Sequence, residues 1–403
     1  MRRRDLLKTA AALPAVAALG QRRSSGPRVA VIGAGAFGGW TALHLVRRGA
    51  RVTLIDAWGP GNARASSGGE TRVIRGVYGD RAIYTAMAAR ALPLWREHDR
   101  RFGTRFFRRT GALWMVGADD TVARESVGPM KAAGLPLEQP SIAEARRRWP
   151  QISFDGLSAL LFEPEAGYLL ARRAAEHVAE RVVDEGGDFR QAAVATPRPD
   201  GQRLASLALA EGASIDADAF VFACGPWLGR LFPDVIGERV RSTRQEVYYF
   251  GTPPGDRRFT EDEMPVWVDY RDRLIYGIPG NAARGFKIAD DARGPDFDPS
   301  TGERTMDETG LKAARAFLSE RFPALAGAPF LGSEVCQYEN SPDGHFIIDR
   351  HPAASNMWIV GGGSGHGYKM GPALGELVAG LVIDDGTPDP AFQLSRFTPR
   401  DRR

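Results

Sequence analysis

Arg28-Val-Ala-Val-Ile32, Gly33-Ala-Gly35-Ala-Phe37-Gly38, a helical stretch through Trp40, Leu43, Leu45 and Val46, and Arg51-Val-Thr-Leu-Ile55-Asp56 follow one another closely. Strand, glycine turn, helix, strand and acid, in that order, leave few folds open. Gly33 suits the tight turn, Gly35 a close approach of backbone to a pyrophosphate, and Gly38 the packing of helix on strand. Unpaired N–H groups and the dipole at the helix start favour the phosphates. Asp56 follows Gly38 by 18 residues, the spacing at which an acid reaches a ribose hydroxyl. The pattern predicts a dinucleotide-binding βαβ unit without saying which dinucleotide.

At 403 residues the chain exceeds what one hydrophobic core usually serves, so two domains are expected. Apolar residues make up 43% and charged residues 25%, which argues against disorder. The formal charge is +4, and Arg2, Arg3, Arg4 and Lys8 against Asp5 supply three of those charges. No basic block among aromatics remains in the body of the chain, so nucleic acid is not an expected partner. Residues 2–17 read as an export signal: a basic start, a short apolar run and Ala15-Val16-Ala17 as a cleavage site. The paired arginines before Leu-Leu-Lys resemble a twin-arginine signal, implying the twin-arginine export machinery and a periplasmic or otherwise exported protein. A basic tail on a cytoplasmic protein is the alternative. No apolar run is long enough to span a bilayer.

Cysteine is scarce, with Cys224 and Cys336 standing 112 residues apart. Cys224 ends the apolar run Ala219-Phe-Val-Phe-Ala-Cys224 and reads as a small buried hydrophobe. Cys336 lies upstream of Gly361-Gly-Gly-Ser-Gly365-His366-Gly367-Tyr-Lys369, a setting that suggests a cofactor attachment site. A disulfide between the two cysteines is the structural alternative for an exported chain. No cysteine or histidine grouping has metal-ligand spacing. Just past Asp56, Ser66-Ser-Gly-Gly-Glu-Thr71-Arg72-Val-Ile-Arg75 suits an extended cofactor, or equally a solvated loop.

Along the chain, helical periodicity is expected to about residue 101 and over 121–149, 167–185 and 308–321. Leu113–Val116 and 188–215 read as strands, and Ala219–Cys224 as a core parallel strand. Gln245–Phe250, Val266–Tyr270 and Leu274–Ile278 alternate and are aromatic, which predicts an antiparallel sheet. Trp358–Val360 through Lys369 into 372–384 reads as strand, glycine turn and helix.

The ordered segments together resemble the monomeric sarcosine oxidase and N-methyltryptophan oxidase group of the D-amino-acid-oxidase-like flavoenzymes, from about Arg28 to about Thr387. The likeness is carried by Gly33–Gly38 with Asp56, Gly-Glu-Thr71-Arg72-Val-Ile-Arg75, Tyr276-Gly-Ile-Pro279 leading to Gly285-Phe-Lys287, Cys336-Gln-Tyr with Phe346–Asp349, and Ser364-Gly-His-Gly-Tyr-Lys369. It implies an α/β fold: a Rossmann-like FAD-binding domain of the glutathione-reductase type with an antiparallel-sheet substrate domain formed by insertions. The expected FAD-binding pieces are 28–85, 155–235 and 325–395, and the substrate domain 86–154 and 236–324, after a signal and linker at 1–27.

The resemblance implies FAD tethered through the flavin 8α-methyl to the sulfur of Cys336. Gly33, Gly35, Phe37, Gly38, Asp56, Thr71, Arg75, Cys336, Gly365 and Gly367 are the expected cofactor contacts. Arg72 and Lys369 are expected to grip a substrate carboxylate, Lys287 to activate O2, His366 to lie against the flavin edge, and Tyr276 and Trp267 to line the substrate pocket. Two histidines common in the family are replaced here by Gly68 and Asp291, and Trp267 is bulkier than its sarcosine-oxidase counterpart. These changes argue against sarcosine itself, and Asp291 suits a substrate with a second positive group. The implied function is oxidation of a secondary or N-alkyl amino acid by a monomer, with O2 giving H2O2. A periplasmic dehydrogenase serving a respiratory acceptor, a cyclic imino acid or sugar–amine oxidase, and a non-catalytic flavin-binding protein are the alternatives.

Overall fold

The computed structural model describes residues 25–397; the expected export signal lies outside them. The chain opens with β1 (Arg28–Ile32), α1 (Ala36–Arg47) and β2 (Arg51–Asp56). It crosses to β3 (Thr71–Ile74), α2 (Ala82–Phe102), β4 (Phe107–Arg108), β5 (Ala112–Val116), α3 (Thr121–Ala132), α4 (Ile142–Arg148), β6 (Ala159–Glu163) and β7 (Gly167–Leu170). It returns through α5 (Ala171–Asp184), β8 (Asp188–Gln191), β9 (Ser206–Ala208), β10 (Ser214–Asp216), β11 (Ala219–Phe222) and the short α6 (Leu228–Leu231). A second excursion holds β12 (Arg241–Phe250), β13 (Val266–Tyr270), β14 (Leu274–Ile278), β15 (Phe286–Asp290), α7 (Glu308–Arg321) and β16 (Phe330–Asn340). The chain then closes with β17 (Ile347–His351), β18 (Ala354–Gly361) and α8 (Gly371–Ile383).

Two sheets carry the architecture. The first is ordered β17-β18-β11-β1-β2-β8. Only its β17–β18 edge is antiparallel, and β1 sits between β11 and β2 with both neighbours parallel. Its inner strands are apolar on both faces because both are covered, as parallel strands require. α1, α5 and α8 pack on one face. α8 is apolar nearly all round because it is covered by both α1 and α2.

The second sheet is ordered β16-β12-β15-β14-β13-β5-β6. It is antiparallel except where β13 meets β5. α7 backs it, and Phe317 and Phe322 join Trp267 and Phe286 in the core beneath. A three-stranded sheet, β3-β7-β4, lies apart from both.

The fold is the expected α/β one, with differences at the piece boundaries. β6 and β16, placed by sequence with the nucleotide domain, are the two edges of the second sheet. α2, placed with the substrate domain, buries Ala88, Ala91, Leu92 and Trp95 in the core under the parallel sheet. The predicted helix over 121–149 divides into α3 and α4 around Gly134-Leu-Pro136, and the first four residues of the one predicted over 167–185 form β7.

One ion pair anchors the second sheet. Arg321 and Asp269 are 1% and 2% exposed, with Nε donating to Oδ2 at 2.8 Å; Arg271 Nε donates to the other oxygen at 2.9 Å. Removing Asp269 leaves a buried guanidinium without its carboxylate. Asp269→Ala should therefore cost about 3–5 kcal/mol, read as a lowered urea midpoint with unchanged slope. A loss under about 1 kcal/mol would place the pair with ordinary surface bridges.

Candidate active site

The turn after β1 is built for close approach. Gly33 has φ of +107°, and a Cβ there would stand 2.2 Å from the Ala223 carbonyl oxygen. A Cβ at Gly38 would stand 1.8 Å from the Gly33 oxygen, so α1 can start where it does only with glycine at both places. Asp56, at the end of β2, accepts from the backbone N–H of Ala34 at 2.8 Å and of Trp58 at 2.9 Å. These contacts hold its carboxyl at the mouth of a cavity of about 420 Å³.

That cavity runs past Gly33, Gly35, Phe37 and Asp56 to Ser66, Arg72, Glu339, Gly365 and Gly367. Its volume is within the range that organic ligands occupy. Two buried polar atoms of its lining residues, Ser66 Oγ and Glu339 Oε2, have no partner among the described residues. Unpaired buried polar atoms are costly, and a long polar ligand would satisfy them. The cavity therefore fits a dinucleotide. Cys224 also lines it and is not enclosed in the core as the sequence reading expected. Both cysteines are free, so the disulfide alternative is not realised.

A smaller cavity of about 60 Å³ adjoins the first, with Arg72, Gly365 and Tyr368 lining both. Its walls include Arg75, Val268, Tyr276, Asp291, His366 and Lys369. The second sheet supplies one wall through its period-two alternation. Register pairs Val268 with Tyr276 across β13 and β14, and Ile278 with Lys287 across β14 and β15. Cys336 and Tyr338 occupy alternate positions of β16, so one face carries both.

Two lysines are buried here. Lys287 is 1% exposed and donates to the Thr71 carbonyl at 3.0 Å. Burial, reinforced by the charge of Arg72, brings its pKa down to about 7. Lys369 donates to the His366 carbonyl at 2.8 Å and to the Tyr78 hydroxyl at 2.9 Å. Burial and then Arg75 hold its pKa well below the ordinary lysine value. His366 Nε2 lies 2.9 Å from the Gly344 carbonyl. A carbonyl only accepts, so Nε2 carries the hydrogen and Nδ1 is left to accept from Tyr78 at 3.4 Å. Burial holds His366 neutral, well below the ordinary histidine pKa.

Both arginines line the smaller cavity with Lys369. Arg72 donates to the Ser66 and Thr71 carbonyls at 2.7 and 2.8 Å, and its Nη2 stands 3.5 Å from the Cys336 sulfur. It lines both cavities, the smaller one together with Lys369. Arg75, expected as a cofactor contact, lies over the rings of Tyr78 and Trp114 at 4.4 and 4.8 Å and shares the smaller cavity with Lys369.

Trp267 is also placed differently. It is fully buried on the opposite face of the sheet, stacked on Phe286 and Phe317 at 5.8 and 5.7 Å, and its neighbour Val268 is the residue that faces the cavity. Asp291 is in the cavity wall, where it accepts from the Tyr338 hydroxyl at 2.7 Å. Burial raises its pKa to about 6.

Sequence reasoning did not single out Tyr78, Glu163, Tyr338 or Glu339. Tyr338 was legible as the residue two beyond Cys336 on a strand, hence on the same face. Glu163 accepts from Trp114 Nε1 at 2.8 Å and from Gly76 N–H at 2.6 Å, pinning the backbone next to Arg75. Its only signal was an acid ending an apolar strand.

A dinucleotide cradle continuous with a small cationic pocket on a second sheet defines a nucleotide-dependent oxidoreductase. The family model described as FAD dependent oxidoreductase matches residues 28–381, and the chain belongs to that family. It is 31% identical to the monomeric sarcosine oxidase of Streptomyces avermitilis over 92% of this chain and 97% of that protein. It is 27% identical to the N-methyl-L-tryptophan oxidase of Yersinia pestis over 91% and 98%. Among solved structures, L-proline dehydrogenase from P. horikoshii shares the fold, with a TM-score of 0.81 at 21% identity over 92% of this chain and 98% of that one. FAD is accordingly the cofactor of this enzyme. Among the described residues no cluster has the donors to hold a metal ion, and no helix is long and apolar enough to cross a membrane.

The placement of Trp267 is testable. Trp267→Ala should destabilise the fold by about 3–5 kcal/mol while leaving the substrate KM unchanged. A changed KM without loss of stability would return the residue to the pocket wall.

Proposed function

We propose that the chain oxidises a secondary or N-alkyl amino acid whose carboxylate binds between Arg75 and Lys369. The observation that carries this reading is the charge of the small cavity: three cationic side chains line it, and Asp291 is the only acid that does. Asp291 is already engaged by Tyr338. A ligand carboxylate would supply the missing negative charge, and a guanidinium fork beside an ammonium is well suited to hold it. FAD, when bound, supplies the acceptor for a hydride from the carbon next to nitrogen and passes the electrons to O2. Overall, amine, O2 and water give a carbonyl compound, the dealkylated amine and H2O2. The protein contributes placement, charge and exclusion of water.

Lys287, buried and held by the carbonyl of the residue beside Arg72, is proposed to favour the negative charge that develops on O2. Its ammonium form is lost as pH rises through about 7, so oxygen reactivity should fall over that range. Lys287→Met should slow reoxidation by O2 about a hundredfold or more while sparing anaerobic reduction by substrate, measured by stopped-flow absorbance. Equal losses in both half-reactions would give the lysine another role.

Cys336, its sulfur 3.5 Å from the Arg72 guanidinium, is proposed as the covalent tether of FAD. After acid precipitation the yellow colour should stay with the parent polypeptide and pass to the supernatant in Cys336→Ser. Colour in the supernatant from the parent would disprove the tether. The twin-arginine-type start at Arg2-Arg3-Arg4 supports export of the folded, loaded enzyme, and cell fractionation would test it.

A further inference from the structure

Glu339 stands out among the buried polar groups. It is 8% exposed and lines the larger cavity. Oε1 accepts from the Gly363 N–H at 3.1 Å, whereas Oε2 has no partner among the described residues. A Cβ at Gly225 would stand 3.3 Å from Oε2 and one at Gly361 3.5 Å, so two glycines flank that oxygen. No cation compensates it: burial alone pushes the carboxyl up to about 7, opposed only by the Gly363 N–H. An isolated buried acid costs stability, and the protein carries it on the wall of its cofactor cavity.

Position narrows what it meets. Glu339 follows Cys336 by three residues on β16, about 10 Å along an extended strand. It also approaches the end of β18 through Gly363. It therefore lines the cavity beyond the thiol, where the ends of β16 and β18 come together. The part of FAD that joins ring to pyrophosphate is a polyol chain, rich in hydroxyl donors and without charge of its own.

We propose that Glu339 is a polyol-binding residue, whose Oε2 accepts a hydrogen bond from a hydroxyl of the FAD ribityl chain. The proposal rests on FAD occupying the larger cavity and is independent of the amine substrate. A single acceptor placed here tells a hydroxylated linker from an apolar one. It also makes cofactor binding relieve a cost that the apoprotein bears.

The test uses the Cys336→Ser background, in which FAD is exchangeable, at pH 8 so that the carboxyl is ionised. FAD affinity is measured by flavin fluorescence, and thermal midpoints are measured with and without FAD, for Glu339, the near-isosteric Glu339→Gln and Glu339→Leu. A lost hydrogen bond to a charged group predicts FAD binding weakened about tenfold or more in Glu339→Leu, and less in Glu339→Gln. Both variants should raise the midpoint of the apoprotein, and Glu339→Leu should lower that of the FAD complex. Unchanged affinity would overturn the proposal. Equal destabilisation of apo and FAD-bound forms would also overturn it, reducing Glu339 to a support for Gly363. If the background protein folds but binds no FAD with Glu339 intact, the placement of the cofactor in this cavity fails, and this inference with it.

Discussion

Burying two lysine side chains, at 1% and 5% exposure, is the constraint around which the site is arranged. Each is removed from water and each is held by a backbone carbonyl, Thr71 for Lys287 and His366 for Lys369. Desolvation works against both charges, so neither position is tolerated for packing alone. Thr71 belongs to β3 and Lys287 to the second sheet, so the hydrogen bond between them also ties separate layers together. The carbonyl that holds the ammonium comes from the residue beside Arg72, which puts the thiol, the guanidinium and the lysine in one neighbourhood.

From that neighbourhood the molecule divides its labour by cavity. On one side the parallel sheet delivers glycine backbone and the Asp56 carboxyl, which bind by shape and hydrogen bonding. On the other side the antiparallel sheet delivers alternate side chains to a small, cationic, aromatic pocket. Tyr78 links two of the cations of that pocket, accepting from Lys369 with its hydroxyl and carrying Arg75 over its ring. The aromatic support offsets part of the repulsion between them. Asp291 makes the pocket wall acidic at one point, where the family resemblance implied a histidine.

Much of the fold was legible because it is local. The βα turn reads from three glycines and an acid, and the helix expected over 308–321 is α7 as observed. What escaped depends on pairing between distant segments. β16 joins the second sheet only because it pairs with β12, about 90 residues earlier, and nothing within its own half-polar sequence names that partner. Trp267 failed for a related reason. One residue of register decides which face a strand side chain takes, and the pairing of Val268 with Tyr276 sends the indole the other way. Glu339 was invisible because its meaning lies in a missing partner.

The role of the cationic pocket is tested most directly by mixing the flavin-loaded enzyme, without oxygen, with an N-methyl amino acid and with the matching amine that lacks the carboxylate. A carboxylate-anchored site predicts rapid bleaching of the flavin absorbance by the amino acid and bleaching slower by about a hundredfold or more with the amine, since at least two charge-assisted hydrogen bonds are lost. Equal bleaching by both compounds would contradict a substrate held by Arg75 and Lys369.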